Sequence, residues 1–237
     1  MGDRDTAVVL VAGGSGERFG RSGGKQLAPL GGRPVAAHSL AASASVGRVA
    51  LVVVVCHPER VAEYQTALAD VATDVDVIFA PGGARRQDSV ASGLARVPER
   101  FAYIAVHDGA RPLAGPELFD RALAMLDADP ALAGAVVGHP AVDTLKIVEG
   151  ALVTATPDRS TVWAAHTPQV FRAAALRAAY EAAERNGREG TDDSSLVEAA
   201  GGRVVMVEGP RTNIKVTVAA DLAIAEAVLS SHREADS

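Results

Sequence analysis

An α/β fold, a twisted and mostly parallel sheet with helices on both faces, is what this 237-residue sequence predicts. Three observations lead there. Apolar, β-branched runs alternate with helix-patterned segments through the first half of the chain. One run, Val49–Val55, is unbroken, as a strand buried on both faces must be. The first strand, Ala7–Val11, leads directly into a loop of glycines, a junction that opens many ligand-binding α/β domains.

Taken in order, Ala7–Val11 reads as a strand and Pro34–Ala44 as a helix with proline in its first turn. Val49–Val55 is the buried strand, Pro58–Ala69 a helix and Val75–Ala80 a strand. Asp88 is the expected N-cap of a helix reaching Val97. Tyr103–Val106 is a strand and Pro116–Asp127 a helix. From about Gly138 to Gln169 the rhythm changes. The alternating stretches 144–148 and 152–156 flank Glu149-Gly150 and predict a β-hairpin, read as a protruding arm. A hairpin alone is marginal in water, so the arm is expected to pack against something such as a second subunit. Helices at Ala173–Arg185 (stopped by Asn186-Gly187), Asp193–Ala200 and Ala219–Leu229 follow, with strands near Val204–Val207 and Asn213–Val216 and a frayed tail at Ser230–Ser237. One domain over residues 1–237, with the arm as an insert, is the expected organisation.

The bulk numbers exclude several function classes. A net charge of −6 and few aromatic residues (4%) argue against a surface that coats nucleic acid. The single cysteine, Cys56, rules out an internal disulfide and fits a reducing compartment. The longest apolar run, Val49–Cys56, is far short of the roughly 20 residues a membrane-spanning helix needs. The first residues lack the apolar stretch of a secretion signal. A cytoplasmic protein is therefore expected. Twenty arginines stand against three lysines, Lys25, Lys146 and Lys215, which draws attention to each lysine, though weakly.

The chemistry is expected at the loops that follow the strands. In Ala12-Gly13-Gly14-Ser15-Gly16-Glu17-Arg18-Phe19-Gly20, glycines let the backbone approach a ligand closely, and successive N–H groups form an anion-binding concavity. Arg18 and Lys25 beside it suggest a polyphosphate. The dinucleotide fingerprint fails because Phe19 takes its third glycine position, and the Walker pattern fails at Phe19 and Gln26. A second candidate, Pro81-Gly82-Gly83-Ala84-Arg85-Arg86-Gln87-Asp88-Ser89, joins glycines and arginines to a helix start suited to anions, or is simply a solvated turn. In His107-Asp108-Gly109-Ala110-Arg111, Asp108 could hold Mg²⁺ or a ribose hydroxyl and Arg111 could grip a phosphate, or the two could merely brace the turn. Strand alternation in Asn213-Ile214-Lys215-Val216-Thr217 would put Asn213, Lys215 and Thr217 on one face, which could equally be a solvent edge. Paired metal spacings among the six histidines and a nucleophile elbow are absent. The loops 12–25, 81–88 and 107–112 should open on one sheet edge.

These segments, together with Asp143-Thr144, Trp163-Ala164-Ala165-His166-Thr167-Pro168-Gln169-Val170-Phe171 and Thr191-Asp192-Asp193, resemble the 2-C-methyl-D-erythritol 4-phosphate cytidylyltransferase family of the non-mevalonate isoprenoid pathway. The resemblance spans nearly the whole chain and rests on the ordered set, not on one motif. It implies a Rossmann-like nucleotidyltransferase fold, a homodimer clasped by the β-arm, CTP and a methylerythritol phosphate as substrates, and Mg²⁺ carried by the CTP phosphates. It implies that Arg18 and Lys25 stabilise the transition state and that Arg159 and Lys215 position the acceptor. Ala12, Gly13, Gly14, Gly16, Gly83, Ala84, Ser89 and Asp108 would surround CTP. Asp108, Arg111, Thr144, Thr167, Thr191 and Thr217 would line the acceptor pocket, with Thr144, Arg159 and Thr167 supplied by the partner's arm. Two departures stand out: Gly24 where proline is frequent, implying a floppier loop, and Gly109 for the commoner alanine, a swap expected to matter little. A cytidylyltransferase for another polyol phosphate, such as ribitol 5-phosphate, is the nearest alternative, and a non-catalytic nucleotide sensor the more distant one.

Overall fold

The computed structural model describes residues 4–14 and 24–235, with side chains to residue 231. Its elements run β1 (Thr6–Val11), β2 (Pro29–Leu30), β3 (Arg33–Pro34), α1 (Val35–Ala44), β4 (Val49–Cys56), α2 (Val61–Leu68), β5 (Asp76–Pro81), α3 (Arg86–Leu94), β6 (Tyr103–Asp108) and α4 (Pro116–Ala128). Then come β7 (Leu132–Pro140), β8 (Ile147–Glu149), β9 (Leu152–Ala155), β10 (Trp163–Arg172), α5 (Ala173–Asn186), α6 (Asp193–Ala199), β11 (Arg203–Glu208) and α7 (Ala219–Ala235). Seven strands form one sheet in the order β11-β7-β10-β6-β1-β4-β5. Only β10 is antiparallel to its neighbours, β6 and β7. No described helix is long and apolar enough to cross a membrane.

Burial explains the unbroken apolar runs. Along β1, Ala7 and Val9 face a core shared with α3 and α5, while Val8 and Leu10 face the core beneath α1, α2 and α4. Along β4, Leu51, Val53 and Val55 join the first core and Val52 and Val54 the second. Each central strand is thus covered on both faces, and a polar residue at either parity would be buried. A third, smaller core (Leu30, Val35, Val216 and Ala225) ties α7 to the β2–β3 hairpin.

From β1 the chain winds outward to β4 and β5, then returns to the other side of β1 as β6. Loops leaving adjacent strands diverge at such a switch point and open a crevice beyond their carboxyl ends. The loops after β1, β5 and β6 do line one cleft, as expected.

Several expectations need correcting. Residues 138–140 and 163–169, read as part of the arm, belong to β7 and β10 of the main sheet, so the excursion is confined to 141–162. Pro168 breaks the strand pattern there, and a register irregularity between Ala165 and Gln169 accommodates it. The hairpin itself exists as β8 and β9, shorter than expected on both sides. The segment 213–217 is no strand. Asn213 is fully buried and donates from Nδ2 to the Thr167 carbonyl at 3.0 Å, and Val216 N donates to Ala110 O at 2.8 Å. Asp88 does not cap α3 from the first position. Arg85 is the N-cap, and Asp88 reaches back to its N–H at 3.1 Å. Finally, residues 230–235 continue α7 and are not a frayed tail.

Candidate active site

The cleft at the switch point encloses about 440 Å³. Its walls include Gly13 and Gly14 after β1, Gly83, Ala84 and Ser89 at the start of α3, and Asp108 at the end of β6. Lys25 and Lys215 enter from loops on the same side. Sequence reasoning therefore names most of the lining. Arg18 and Gly16 lie outside the described residues.

Close approach explains two of the glycines. A Cβ on Gly83 would sit 2.4 Å from Asp88 Cβ, so a side chain there would displace the start of α3. Gly83 N–H also donates to Ser89 Oγ at 3.1 Å, and that hydroxyl donates to Arg85 O, so Ser89 organises the loop. Gly24 has φ +69°, a conformation closed to proline, so the chain approaches Lys25 by a path that proline could not follow. At Gly109 an added Cβ would lie 3.2 Å from Ala12 Cβ and from Val11 O. Alanine there would need the β1 exit to give by a few tenths of an ångström.

Asp108 is the electrostatic centre. Lys215 Nζ lies 2.7 Å from Oδ2, Arg111 Nε 3.7 Å from Oδ2, and Arg86 Nε 3.4 Å from Oδ1. Burial works to raise its pKa, but the Arg86, Lys215 and Arg111 cations outweigh burial and hold the carboxyl well below the ordinary carboxylate range. Asp108 is therefore ionised with both oxygens engaged. Arg86 also extends Nη2 to Asp193 Oδ2 at 2.8 Å, and Asp193 is fully buried, receiving the Tyr180 hydroxyl as well. Burial would lower the Arg86 pKa, yet the Asp193 and Asp108 carboxylates raise it, so it stays cationic. Sequence reasoning places Arg86 only within the candidate anion segment 81–89, and gives Asp193 no role of its own. Nothing in the spacing of α3 and α6 shows that the two meet.

Other expected site residues fall elsewhere. Ala12 is buried beneath the cleft, its carbonyl accepting the Tyr64 hydroxyl at 2.8 Å. Arg111 is 8% exposed and donates from Nη1 to Asn213 O at 2.7 Å, bracing the 213–217 segment. Thr167, expected from a partner's arm, lies in this chain's own β10, 4% exposed. Its Oγ1 accepts from Asp108 N at 3.0 Å and pairs with His107 Nδ1 at 2.9 Å. It fixes the end of β6 from the neighbouring strand. Thr217 donates its hydroxyl to Asp221 Oδ2 at 2.6 Å, an oxygen that also accepts the N–H of residues 217 and 218. Thr191 lines a separate, small depression behind Arg86 and Gln87. Thr144 and Arg159 are exposed on the arm, where Arg159 Nη1 donates to Val142 O at 3.2 Å. His107 is fully buried, which pushes its pKa down to about 4, and its ring packs edge-on against Phe119. It is a neutral structural residue.

Magnesium finds a poor protein cage here. Among the described residues, no three carboxylate, histidine or cysteine side chains converge. Asp108 is the only carboxylate on the cleft wall among the described residues, and its oxygens already serve cations. That donor set does not fit a protein-held Mg²⁺ ion, which prefers several oxygen ligands in octahedral array.

Known proteins bring the same frame. The family model for 2-C-methyl-D-erythritol 4-phosphate cytidylyltransferase (IspD) matches residues 6–231. A protein of that name from Syntrophotalea carbinolica is 41% identical over 229 residues, covering 94% of this chain and 96% of the relative. The bifunctional enzyme IspD/IspF of Rhodospirillum rubrum is 42% identical over 96% of this chain, and the chain spans 58% of that longer protein. Among solved structures, the 2-C-methyl-D-erythritol 4-phosphate cytidylyltransferase of Thermus thermophilus superposes with a TM-score of 0.74 at 33% identity, covering 94% of this chain and 98% of its own. The 4-diphosphocytidyl-2C-methyl-D-erythritol synthase of Anaerococcus prevotii reaches a TM-score of 0.82 at 27% identity, with 95% and 98% covered. With its switch-point cleft and the match along nearly its whole length, the chain belongs to the 2-C-methyl-D-erythritol 4-phosphate cytidylyltransferase family.

Proposed function

We infer that this chain transfers the cytidylyl group of CTP to 2-C-methyl-D-erythritol 4-phosphate, giving 4-diphosphocytidyl-2-C-methyl-D-erythritol and pyrophosphate. One observation carries the reading: a glycine-walled cleft at the β1/β6 switch point, lined by Lys25, in which Arg86, Arg111 and Lys215 gather around the ionised carboxylate of Asp108. Backbone N–H groups with fixed cations suit a triphosphate. The acceptor's phosphate monoester is already an anion, so it attacks the α-phosphorus without a general base. A new P–O bond forms as the bond to the β-phosphate breaks, and pyrophosphate leaves. No basic histidine is needed, consistent with the buried, neutral state of His107.

In this reading Gly13, Gly14, Gly83, Ala84 and Ser89 receive the nucleotide. Lys25, with Arg18, offsets charge that develops on the triphosphate, and Lys215 turns from Asp108 to the acceptor phosphate. Asp108 accepts a substrate hydroxyl. A magnesium ion would be held by the triphosphate, whose oxygens supply the ligands the cleft wall lacks, and would offset phosphate charge there. Thr144 and Arg159 serve the cleft of a second subunit, reached by the arm in a homodimer. The exposed apolar side chains of the arm, Ile147 (54%), Val148 (52%) and Leu152 (72%) among them, support such a clasp.

The test is pyrophosphate release by the purified protein with CTP, Mg²⁺ and methylerythritol phosphate, run beside ribitol 5-phosphate. Turnover with the first acceptor and little with the second is expected. Preference for ribitol 5-phosphate, or nucleotide binding without turnover, would overturn the assignment. The names of the relatives do not favour the ribitol alternative.

A further inference from the structure

Asp108 sits between two kinds of cation. Lys215 reaches it through a flexible four-carbon chain, with more than a third of its side chain exposed (36%). Arg86 is anchored from behind. Its Nη2 holds Asp193, which has no solvent exposure and is the first residue of α6. The start of α6 is itself clamped. Gln169 of β10 donates to Asp192 at 2.8 Å and accepts from Ser194 N at 3.1 Å, and Tyr180 of α5 donates to Asp193. One residue along α3, Gln87 accepts from Gly190 N at 3.0 Å and donates to Arg188 O at 3.1 Å. The guanidinium is thus pinned by α3, α5, α6 and β10 together.

We propose that Arg86 is a positioning residue for the acceptor: it keeps Asp108 oriented and compensated from its Oδ1 side, so that Lys215 can release Oδ2 and take the acceptor phosphate. The proposal rests on the cytidylyl-transfer reading and adds to it a residue and a division of labour. When an incoming phosphate competes for the Lys215 ammonium, Asp108 would be left in a buried site with one cation fewer. A buried carboxylate that loses its compensation is strongly disfavoured, so without Arg86 it would hold Lys215 against the phosphate. Arg111 cannot substitute. Its Nε faces Asp108 on the Oδ2 side, at 3.7 Å, so it does not take the Oδ1 position of Arg86, and its Nη1 is committed to the Asn213 carbonyl. Only a planar fork can serve Asp108 and Asp193 at once; an ammonium is a point charge.

The experiment compares wild type with Arg86→Met, Arg86→Lys and Asp193→Asn. Steady-state kinetics are measured in each substrate, CTP affinity by calorimetry and Tm by scanning calorimetry. For Arg86→Met the acceptor KM should rise roughly tenfold or more, the effect of one lost charge-assisted hydrogen bond, while CTP affinity changes less than about threefold. Arg86→Lys should restore part of the acceptor KM, and Asp193→Asn should shift it in the same direction as Arg86→Met but by less. A lowered Tm with an unchanged acceptor KM would reduce Arg86 to a structural brace and overturn the proposal. A parallel loss of CTP affinity would make it a triphosphate ligand, which overturns it equally. Should Arg86→Met fail to fold, the other two variants decide on the same criteria. An inactive wild type would sink the transfer reading itself, whereas an active wild type with unshifted variants would sink this inference alone.

Discussion

At the scale of single residues, the site behaves as a charge-balancing device built on Asp108. Its two oxygens separate a fixed cation from a movable one, and that asymmetry predicts distinct kinetic signatures. Lys215→Ala is expected to raise the acceptor KM while leaving CTP binding largely intact, checked by calorimetry with CTP alone. Lys25→Ala should instead lower kcat by on the order of 10²–10³ with a modest change in the CTP KM, since it acts on charge that develops during transfer. His107 yields a stability prediction. Its folded pKa is pushed down to about 4 by burial, from the ordinary histidine value of about 6.5. The unfolded chain therefore binds the proton better between those values. Stability is whole above about pH 6.5 and falls as pH drops toward 4. Between pH 7.5 and pH 5 wild type should lose on the order of 2 kcal/mol more than His107→Gln. Urea midpoints at the two pH values measure it, and equal losses would refute the assignment.

Among the elements, α3 shows how closely packing and function are joined. Its N-terminal turn carries Arg86 and Ser89 into the cleft, while its C-terminal half lies against the sheet. Gly93 makes that contact possible, because a Cβ there would lie 2.5 Å from Val9 Cγ1 and 2.9 Å from Val55 Cγ2. Both contacts are to core side chains of the central strands. Gly93→Ala should destabilise by about 1–3 kcal/mol through overpacking and lower the Tm, even though alanine favours helix. The elements legible in the sequence were those whose signal is local. The Val49–Val55 run and the Asn186-Gly187 stop were read correctly, Gly187 taking the left-handed C-cap at φ 60°. The Asn213–Val216 segment was misread because alternation suggested a strand. In the structure, the buried Asn213 side chain, the Arg111 bond to the Asn213 carbonyl and one backbone bond to Ala110 do the holding, and none of them leaves a periodic trace.

On the scale of the whole molecule, the sheet order decides where chemistry can occur and the arm decides what remains uncovered. β8 and β9 pair only with each other and keep their apolar side chains in solvent. If two arms clasp, Ile147→Asp combined with Leu152→Asp should give a monomer by light scattering and lower turnover by about tenfold or more, as Thr144 and Arg159 lose their place at the second cleft. A wild-type monomer at micromolar concentration would refute the clasp.

The sequence by itself determined the alternation of strands and helices, the loops that would meet at one sheet edge, and most residues on the cleft wall. Those follow from hydrophobic period and from the conformational freedom of glycine, both written into neighbouring residues. Only tertiary structure decided that Arg86 meets Asp193 across 107 positions of chain. It also showed that Thr167 belongs to the chain's own sheet and that Arg111 braces a turn from a buried position. Such pairings are selected by packing, since a buried charge tolerates only the partner that the fold brings within reach.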